Sequence, residues 1–238
     1  MNKSAIEWTD RTWNPITGCL GTVARVRCPY CYANKLAQGR LRARYLANPH
    51  YAQGEDPSDP FVPRLWYDRL DDPLKLKAPS KIFVGSMTDL FAPWMPDAWK
   101  EQVLRVIEKC PQHTFQLLTK HPGYAMKHSP FPENVWFGAT AITNSQMQTA
   151  DDALSSIRAT VKFISMEPFI NAVTYSSWGG ANWLILGGLS GCGTYEPYVP
   201  DVDWVLRFAD AKGVPVFIKD NLNWPEERRE WPNIRKEH

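Results

Sequence analysis

The sequence predicts an α/β fold in which six or seven mainly parallel strands form a partial (βα)6 barrel. Three observations predict it. Short apolar runs alternate with amphipathic helical stretches, several runs are apolar on both faces, and polar or glycine residues follow where the runs end. A run such as Ile82-Phe83-Val84 suits a parallel strand that helices cover on both sides. A doubly wound open sheet fits the same alternation and stays an alternative.

Seven apolar runs are the predicted strands. Each is short and is followed by a polar loop, as expected where a parallel strand leads into a crossover connection. In order along the chain, they are Thr12–Thr17, Lys81–Ser86, Thr114–Thr119, Asn134–Ala139, Val161–Met166, Trp183–Gly187 and Val214–Ile218.

Four stretches between these runs are predicted helices. The clearest begins at Pro96-Asp97 and repeats apolar residues on one face, and the last ends at Gly213, a common helix C-terminus. They are Ala33–Leu46, Asp97–Lys109, Ser145–Ile157 and Asp203–Lys212. Residues 48–77 are rich in Pro and Asp and are interpreted as an inserted loop over a site, within one domain spanning residues 1–238.

The composition favours a soluble, cytoplasmic protein with a substantial core. Of 238 residues, 44% are hydrophobic, yet no run of about 18 apolar residues occurs and the N-terminus has no signal-peptide pattern. The net charge of +2 hides an uneven distribution, because Arg11 to Gly54 contains seven Arg or Lys residues and no acidic residue. Such a basic segment often meets a phosphate backbone or a nucleotide, although a solvated face without a ligand also explains it.

Three of the five cysteines fall within thirteen residues, as Cys19-x8-Cys28-x2-Cys31. Three thiolates can bind three irons of a 4Fe–4S cluster and leave the fourth iron open for catalysis. Arg25 and Arg27 lie inside this segment, and we expect their charge to favour the thiolate form.

Other uses of these thiols remain open. Structural zinc needs four ligands, and only Cys110 or Cys192 could complete the set, because the nearest histidine, His50, lies beyond a predicted helix. A redox Cys-x-x-Cys pair would leave Cys19 without a role. The odd number of cysteines argues against a disulfide framework.

Polar or glycine residues follow six of the predicted strands. Because ligands bind at the carboxyl ends of parallel strands, these residues are candidate site residues, although a strand end is also polar where it reaches solvent. They are Asp89, Lys120, Thr140, Glu167, Gly188 with Ser190, and Lys219 with Asp220.

The cysteine segment resembles the motif of the radical S-adenosylmethionine superfamily, which has an aromatic residue directly before the third cysteine, as Tyr30 is here. The spacing differs, with eight residues instead of the usual three between the first two cysteines. Nearly the whole chain is similar to a phage- and bacterium-borne three-cysteine-motif family of radical-SAM-like proteins. The matching blocks are Trp8–Pro15, Cys28–Ala33, Ser86–Phe91, Phe115–Lys120, Asn134–Gly138 and Glu167-Pro168.

This resemblance implies a partial TIM-like barrel with a 4Fe–4S cluster on Cys19, Cys28 and Cys31 at its mouth. It also implies S-adenosylmethionine as cofactor, cleaved to a 5′-deoxyadenosyl radical that abstracts hydrogen from a substrate, and an electron donor such as flavodoxin or ferredoxin. The residues that it places around the cofactor are Ser86, Met87, Thr88, Asp89, Thr119, Thr140, Ser165, Gly187 and Gly188.

The resemblance also suggests roles for charged residues. Lys120, or an arginine near the cluster, would pair with the cofactor carboxylate. Glu167 and Lys219 would contact substrate or transfer a proton, unless these two form an ordinary ion pair. Asp89 or its neighbours would accept from the cofactor amino group, unless Asp89 caps the following turn. Departures from the family pattern occur at Ile142, at Leu189 and at Asp220-Asn221, and they suggest a specialised member.

A nucleic-acid base or modified nucleotide is the expected substrate, as in phage DNA hypermodification by an isomerase-type rearrangement. A phage-encoded protein of this kind would act in the host cytoplasm. Most of six tryptophans lie in apolar patterns and are expected in the core more than at a stacking site. They are Trp8, Trp13, Trp99, Trp136, Trp183 and Trp204. A free small-molecule substrate and a non-enzymatic, metal-stabilised nucleic-acid-binding protein are the alternatives.

Overall fold

A computed structural model describes residues 1–170, 173–190 and 196–234. The chain forms two compact units, residues 1–121 and residues 122–238, and each is described by itself. The prediction of one domain stays a prediction.

The first unit is built on four strands of a sheet in the order β1, β2, β5, β6. Strand β1 is antiparallel to β2, whereas β2, β5 and β6 run parallel. A separate antiparallel pair is formed by β3 and β4. The bounds are β1 Asn2–Lys3, β2 Arg11–Trp13, β3 Ile16–Thr17, β4 Arg64–Leu65, β5 Lys81–Val84 and β6 Thr114–Thr119.

The parallel strands of this unit end at a common edge. Trp13 pairs with Val84, and Val84 pairs with Leu117, so the loops that follow β2, β5 and β6 leave the sheet side by side. The predicted strand Thr12–Thr17 is wrong as one element, because Asn14-Pro15 interrupts it and Pro15 has no N–H for a sheet ladder.

Five helices complete the first unit. They are α1 Tyr32–Gln38, α2 Arg42–Leu46, α3 Tyr67–Leu70, α4 Asp72–Lys75 and α5 Asp97–Glu108. The predicted continuous helix Ala33–Leu46 is wrong, because α1 ends at Gly39, whose N–H bonds the carbonyl of Lys35 before the chain restarts as α2. Glycine weakens a helix interior, so the break falls there.

Residues 48–77, predicted as an inserted loop, contain β4, α3 and α4. The buried Arg64 side chain organises the segment, since its guanidinium donates to the carbonyls of Asn48 and Pro57, both at 2.7 Å. A buried cation that bonds several carbonyls fixes the surrounding backbone, and a composition rich in Pro and Asp does not reveal such long-range bonds.

The second unit contains four parallel strands in the order β7, β8, β9, β10. They are β7 Val135–Thr140, β8 Val161–Met166, β9 Trp183–Leu186 and β10 Val216–Ile218. The helices are α6 Pro122–Ala125, α7 Asn144–Ser156 and α8 Val199–Lys212, with 3-10 turns at Met126–His128 and Asp220–Leu222.

The α/β class and the expectation of six or seven mainly parallel strands are confirmed, since β2, β5, β6 and β7 to β10 make seven parallel strands. The expectation of core tryptophans is confirmed for four residues, and Trp99 and Trp204 are half-buried. The four buried indoles are Trp8, Trp13, Trp136 and Trp183. Among the described helices, none combines the length and apolarity needed to cross a membrane.

Candidate functional site

Two glycines shape the loop that carries Cys19. Gly18 has φ +97° and Gly21 has φ +94°, in the left-handed region that favours glycine. A Cβ on Gly18 would lie 2.2 Å from the carbonyl oxygen of Val62, and one on Gly21 would lie 2.3 Å from that of Val26. The sequence Gly18-Cys19-Leu20-Gly21 therefore folds back tightly on both sides of the cysteine.

Backbone hydrogen bonds fix this loop to the end of β5. The Gly18 N–H donates to the Met87 carbonyl at 2.9 Å, and the Thr88 hydroxyl donates to the Gly18 carbonyl at 2.6 Å. The Cys19 N–H donates to the carbonyl of Phe61 at 2.8 Å. The structure thus places the predicted cofactor residues Met87 and Thr88 directly beside the first cysteine.

Cys28 and Cys31 lie in one turn at the start of α1. The Cys31 N–H bonds the Cys28 carbonyl at 3.1 Å, and the Cys31 Sγ caps the helix by accepting from the Asn34 N–H at 3.4 Å. Tyr30 hydrogen-bonds the Cys28 side chain, and burial together with that thiol raises the pKa of Tyr30 to about 12.

All three thiols are free, half-buried and close enough to affect one another electrostatically. Burial first, and then the charges of Asp89 and the other two thiols, raise the pKa of Cys19 to about 12, although the N–H of Gly21 donates to its Sγ at 3.2 Å. Bringing three potential thiolates together without a cation is unfavourable, and a bound metal cluster would compensate their charge.

For Cys19, the expectation that Arg25 and Arg27 favour the thiolate form of the cysteines is wrong. Arg25 pairs with Glu55 at 3.0 Å, and Arg27 pairs with Asp59 at 2.6 Å while donating to the Cys19 carbonyl at 2.9 Å. Arg27 therefore holds the loop backbone in place, and the charge of each guanidinium is balanced by a carboxylate.

The donor set fits an iron–sulfur cluster in its chemistry. Clusters prefer cysteine thiolates and are tuned by hydrogen bonds to sulfur, and two of these three sulfurs already accept a backbone N–H. As the side chains stand, the described residues contain no group of three or more Cys, His, Asp or Glu converged on one point for a metal ion. Cys110 is buried beyond the end of α5, and Cys192 lies outside the described residues.

Asp89 joins the ends of β5 and β6. Its carboxylate accepts from the Thr119 hydroxyl at 2.6 Å, from the Lys120 N–H at 2.8 Å and from the Phe91 N–H at 3.2 Å. The carboxylate is buried and its oxygens are used by these protein donors. Asp89 therefore caps the turn that follows it, which was the second of its two expected roles. The Lys120 side chain is exposed.

Asn14 was not predicted as a site residue, yet it connects two of the strand ends. Its side chain contacts the Ser86 hydroxyl and accepts from the Met87 N–H at 3.0 Å, while the Tyr32 hydroxyl donates to the Ser86 carbonyl. Asn14 follows β2 directly, so the same strand-end argument that selected Asp89 would have found it.

In the second unit, Glu167 and Lys219 form an ion pair at 2.6 Å between Nζ and Oε2. Glu167 follows β8 and Lys219 follows β10, so the pair spans the end of β9, where Gly187 lies. A Cβ on Gly187 would come within 2.9 Å of the Glu167 side chain. Ser165 also donates to Glu167, at 3.2 Å, so glycine and serine make room for and orient this carboxylate.

The following backbone is held by Asn221. The Gly188 N–H donates to Asn221 Oδ1 at 3.1 Å, and Asn221 Nδ2 donates to the Gly188 carbonyl at 3.0 Å and to the Ser190 hydroxyl at 3.3 Å. Thr140 is buried at the end of β7 and pairs in register with Ser165. The structure thus groups the predicted residues of each unit, and the prediction that all of them line one mouth stays a prediction.

Comparison with known proteins gives one family and no characterised relative. No curated protein and no solved structure is similar enough to this chain to count as a match. A family model described as "Protein of unknown function (DUF5131)" matches residues 3–236, which is almost the whole chain. The chain therefore belongs to the DUF5131 family.

Proposed function

We propose that this protein is a radical S-adenosylmethionine enzyme that holds a 4Fe–4S cluster on Cys19, Cys28 and Cys31. The observation that carries the proposal is the arrangement of three free, half-buried thiols on the loops between β2 and α1, next to the end of β5. Three thiolate ligands leave one iron of such a cluster open, and an open position is what a catalytic metal site requires.

Bound there, the cluster and S-adenosylmethionine would supply a 5′-deoxyadenosyl radical for hydrogen abstraction. The chain's own residues hold and orient the cysteine loop and the strand end beside it. Gly18, Met87 and Thr88 fix the first cysteine, and Asn14 fixes the Ser86-Met87 backbone. Asp89 is a positioning residue in this proposal, because its oxygens already bind Thr119, Lys120 and Phe91.

Glu167 and Lys219 are the candidates for direct contact with a polar ligand. Their side chains are 20% and 12% exposed, so the pair is sheltered but reachable. Lys219 offers a cation to an anionic group, and Glu167 is able to accept a hydrogen bond or a proton there.

A nucleic-acid base or modified nucleotide is the substrate that we propose. The helices that follow the cysteines support this, because α1 and α2 carry exposed basic side chains and no acidic residue. A cationic surface of this kind attracts a phosphate backbone.

Product analysis of the anaerobically purified, reduced protein tests the proposal. We expect S-adenosylmethionine to be converted to methionine and 5′-deoxyadenosine, and the Cys31→Ser variant to lose this conversion. Cys110→Ala is the matched control and should retain it, because Cys110 lies away from the three-cysteine loop in the sequence. Intact S-adenosylmethionine with a fully loaded cluster would overturn the enzymatic proposal.

A further inference from the structure

A surface cavity of about 430 Å³ lies in the first unit, beside the basic helices. The C-terminal end of α2, the strand β4 and the start of α3 line it. The side chains that matter for its chemistry are Arg44, His50, Trp66, Tyr67 and Asp68. None of these residues has a role in the site described above.

The cavity presents exposed aromatic rings. The Tyr67 side chain is 54% exposed, and its ring meets His50 edge-on with centroids 4.9 Å apart. An exposed aromatic ring that another ring holds in place is a suitable platform for a flat ligand, since it loses little conformational freedom on binding.

Trp66 forms the fixed wall of the cavity. Its indole N–H donates to the Thr17 hydroxyl at 2.8 Å, and the Arg69 guanidinium lies 3.8 Å from the ring centroid. Arg44 lies over the same indole at 5.7 Å and is itself exposed. The indole thus positions the Arg44 cation at the rim of the cavity.

The segment that leads into the cavity, residues 32–54, carries only positive charge. Lys35, Arg40, Arg42 and Arg44 are all exposed, and residues 32–54 contain no Asp or Glu. The lining has one carboxylate, Asp68, which is exposed. Aromatic rings with Arg44 at the rim, in a segment whose charges are all positive, match a nucleic acid, whose bases are flat and whose backbone is anionic.

We propose that this cavity binds single-stranded nucleic acid, with an unpaired base stacked on Tyr67 and an adjoining phosphate on Arg44. A paired base presents its face to its neighbours in the duplex, so stacking on Tyr67 requires an unpaired or extruded nucleotide. The Asp68 carboxylate is available to accept from a base amino group.

The cavity and the cysteine loop share one core. Three partly buried side chains, Trp66, Cys19 and Cys31, pack against the same group of buried core residues. That group consists of Ala33, Ala37, Tyr45, Phe61 and Met87. Nucleic acid at this cavity would therefore lie beside α2 and on the same hydrophobic core as α1, whose N-cap is Cys31. The inference rests on the proposed function in its choice of substrate class, and it names where that substrate is held.

Fluorescence anisotropy with a labelled 12-nucleotide oligo(dT) tests the inference on the full chain, without reductant or S-adenosylmethionine. We expect Tyr67→Ala to weaken binding about fivefold or more and Tyr67→Phe to retain it. Arg44→Ala should also weaken binding and should reduce the slope of log affinity against log salt by about 0.7. Tyr198→Ala and Arg207→Ala, which alter exposed residues of α8 and its N-cap, should change nothing.

The inference is overturned if Tyr67→Ala and Arg44→Ala bind oligo(dT) as the unaltered chain does, or if a duplex of the same length binds more tightly than the single strand. Circular dichroism identifies a variant that fails to fold, and Tyr67→Leu, which keeps the bulk without the ring, then decides the result. Because the measurement does not involve the radical reaction, binding without S-adenosylmethionine cleavage would contradict the proposed function alone.

Discussion

An acidic residue follows a parallel strand in each unit, and the two have different surroundings. Asp89, after β5, is buried, and Thr119, Lys120 and Phe91 donate to it. Glu167, after β8, pairs with Lys219 and keeps 20% of its side chain exposed. The first carboxylate is used in holding the ends of two strands together, whereas the second is within reach of a ligand.

The difference shows that a strand-end acid is not by itself a binding group. The donors on neighbouring strands decide its role, and they lie 30 residues away for Thr119 and 52 residues away for Lys219. Under the proposed function the first unit would hold the cluster and the second would contact a polar ligand, and the following changes test that division.

Loss of a cysteine should have the largest effect. We expect Cys28→Ser to abolish cluster binding, because a hydroxyl is a poor substitute for a thiolate ligand to iron. Iron and sulfide analysis after anaerobic reconstitution measures the effect. Glu167→Gln in the second unit is the control, and it should retain the iron. Loss of iron in Glu167→Gln with retention in Cys28→Ser would reverse the assignment.

Gly18→Ala should have the next largest effect. Its Cβ would enter the backbone of Val62 at 2.2 Å and would also require the left-handed conformation, so we expect a loss of about 3 kcal/mol or more in the free energy of unfolding. Gly54→Ala is the control. That glycine also has a positive φ but has no atom near its Cβ position, and it should cost about 1 kcal/mol. Equal losses, measured by denaturant unfolding, would show that the loop does not depend on this close approach.

Asp89→Asn should destabilise the first unit by about 2 kcal/mol, because the amide places an NH₂ against at least one donor that the carboxylate accepted. Asp152→Asn, at an exposed position on α7, should stay within about 0.5 kcal/mol of the unaltered chain. Thermal unfolding monitored by circular dichroism compares the two. An Asp89→Asn protein as stable as Asp152→Asn would remove the basis for calling Asp89 a positioning residue.

The smallest expected effect is the coupling energy between the two charged side chains of an ion pair. A double-mutant cycle on Glu167→Gln and Lys219→Met should give about 1.5 kcal/mol, since both groups are largely sheltered. The same cycle on Arg25→Gln and Glu55→Gln should give less than about 1 kcal/mol, because the Arg25 side chain is 60% exposed. A larger coupling for the Arg25 pair would contradict the picture of a sheltered pair in the second unit.

Much of the fold follows from local sequence pattern. The predicted strands Thr114–Thr119 and Val161–Met166 have the observed bounds, because six-residue runs with polar neighbours carry the strand signal within themselves. The break in the strand at Asn14-Pro15 was missed although Pro15 has no N–H for a sheet ladder. The elements of residues 48–77 were missed because buried Arg64 holds that segment through long-range hydrogen bonds.

Most residues of the candidate site were predictable, but the sequence left open which of two roles Asp89, Glu167 and Lys219 have. Strand ends identified Asp89, Glu167 and Lys219, and the spacing of Cys19, Cys28 and Cys31 marked the cysteine loop. The carboxylate partners of Arg25 and Arg27 were not predictable, since Glu55 and Asp59 come from the inserted segment. The Tyr67 and Trp66 cavity was missed because it depends on how α2, β4 and α3 meet.

The iron and sulfide content of the anaerobically purified wild-type chain, measured together with its electron paramagnetic resonance spectrum after reduction, tests the central claim most directly. The account predicts about four irons and four sulfides per chain and the signal of a reduced 4Fe–4S cluster. A colourless protein that contains one zinc per chain and no sulfide would contradict it.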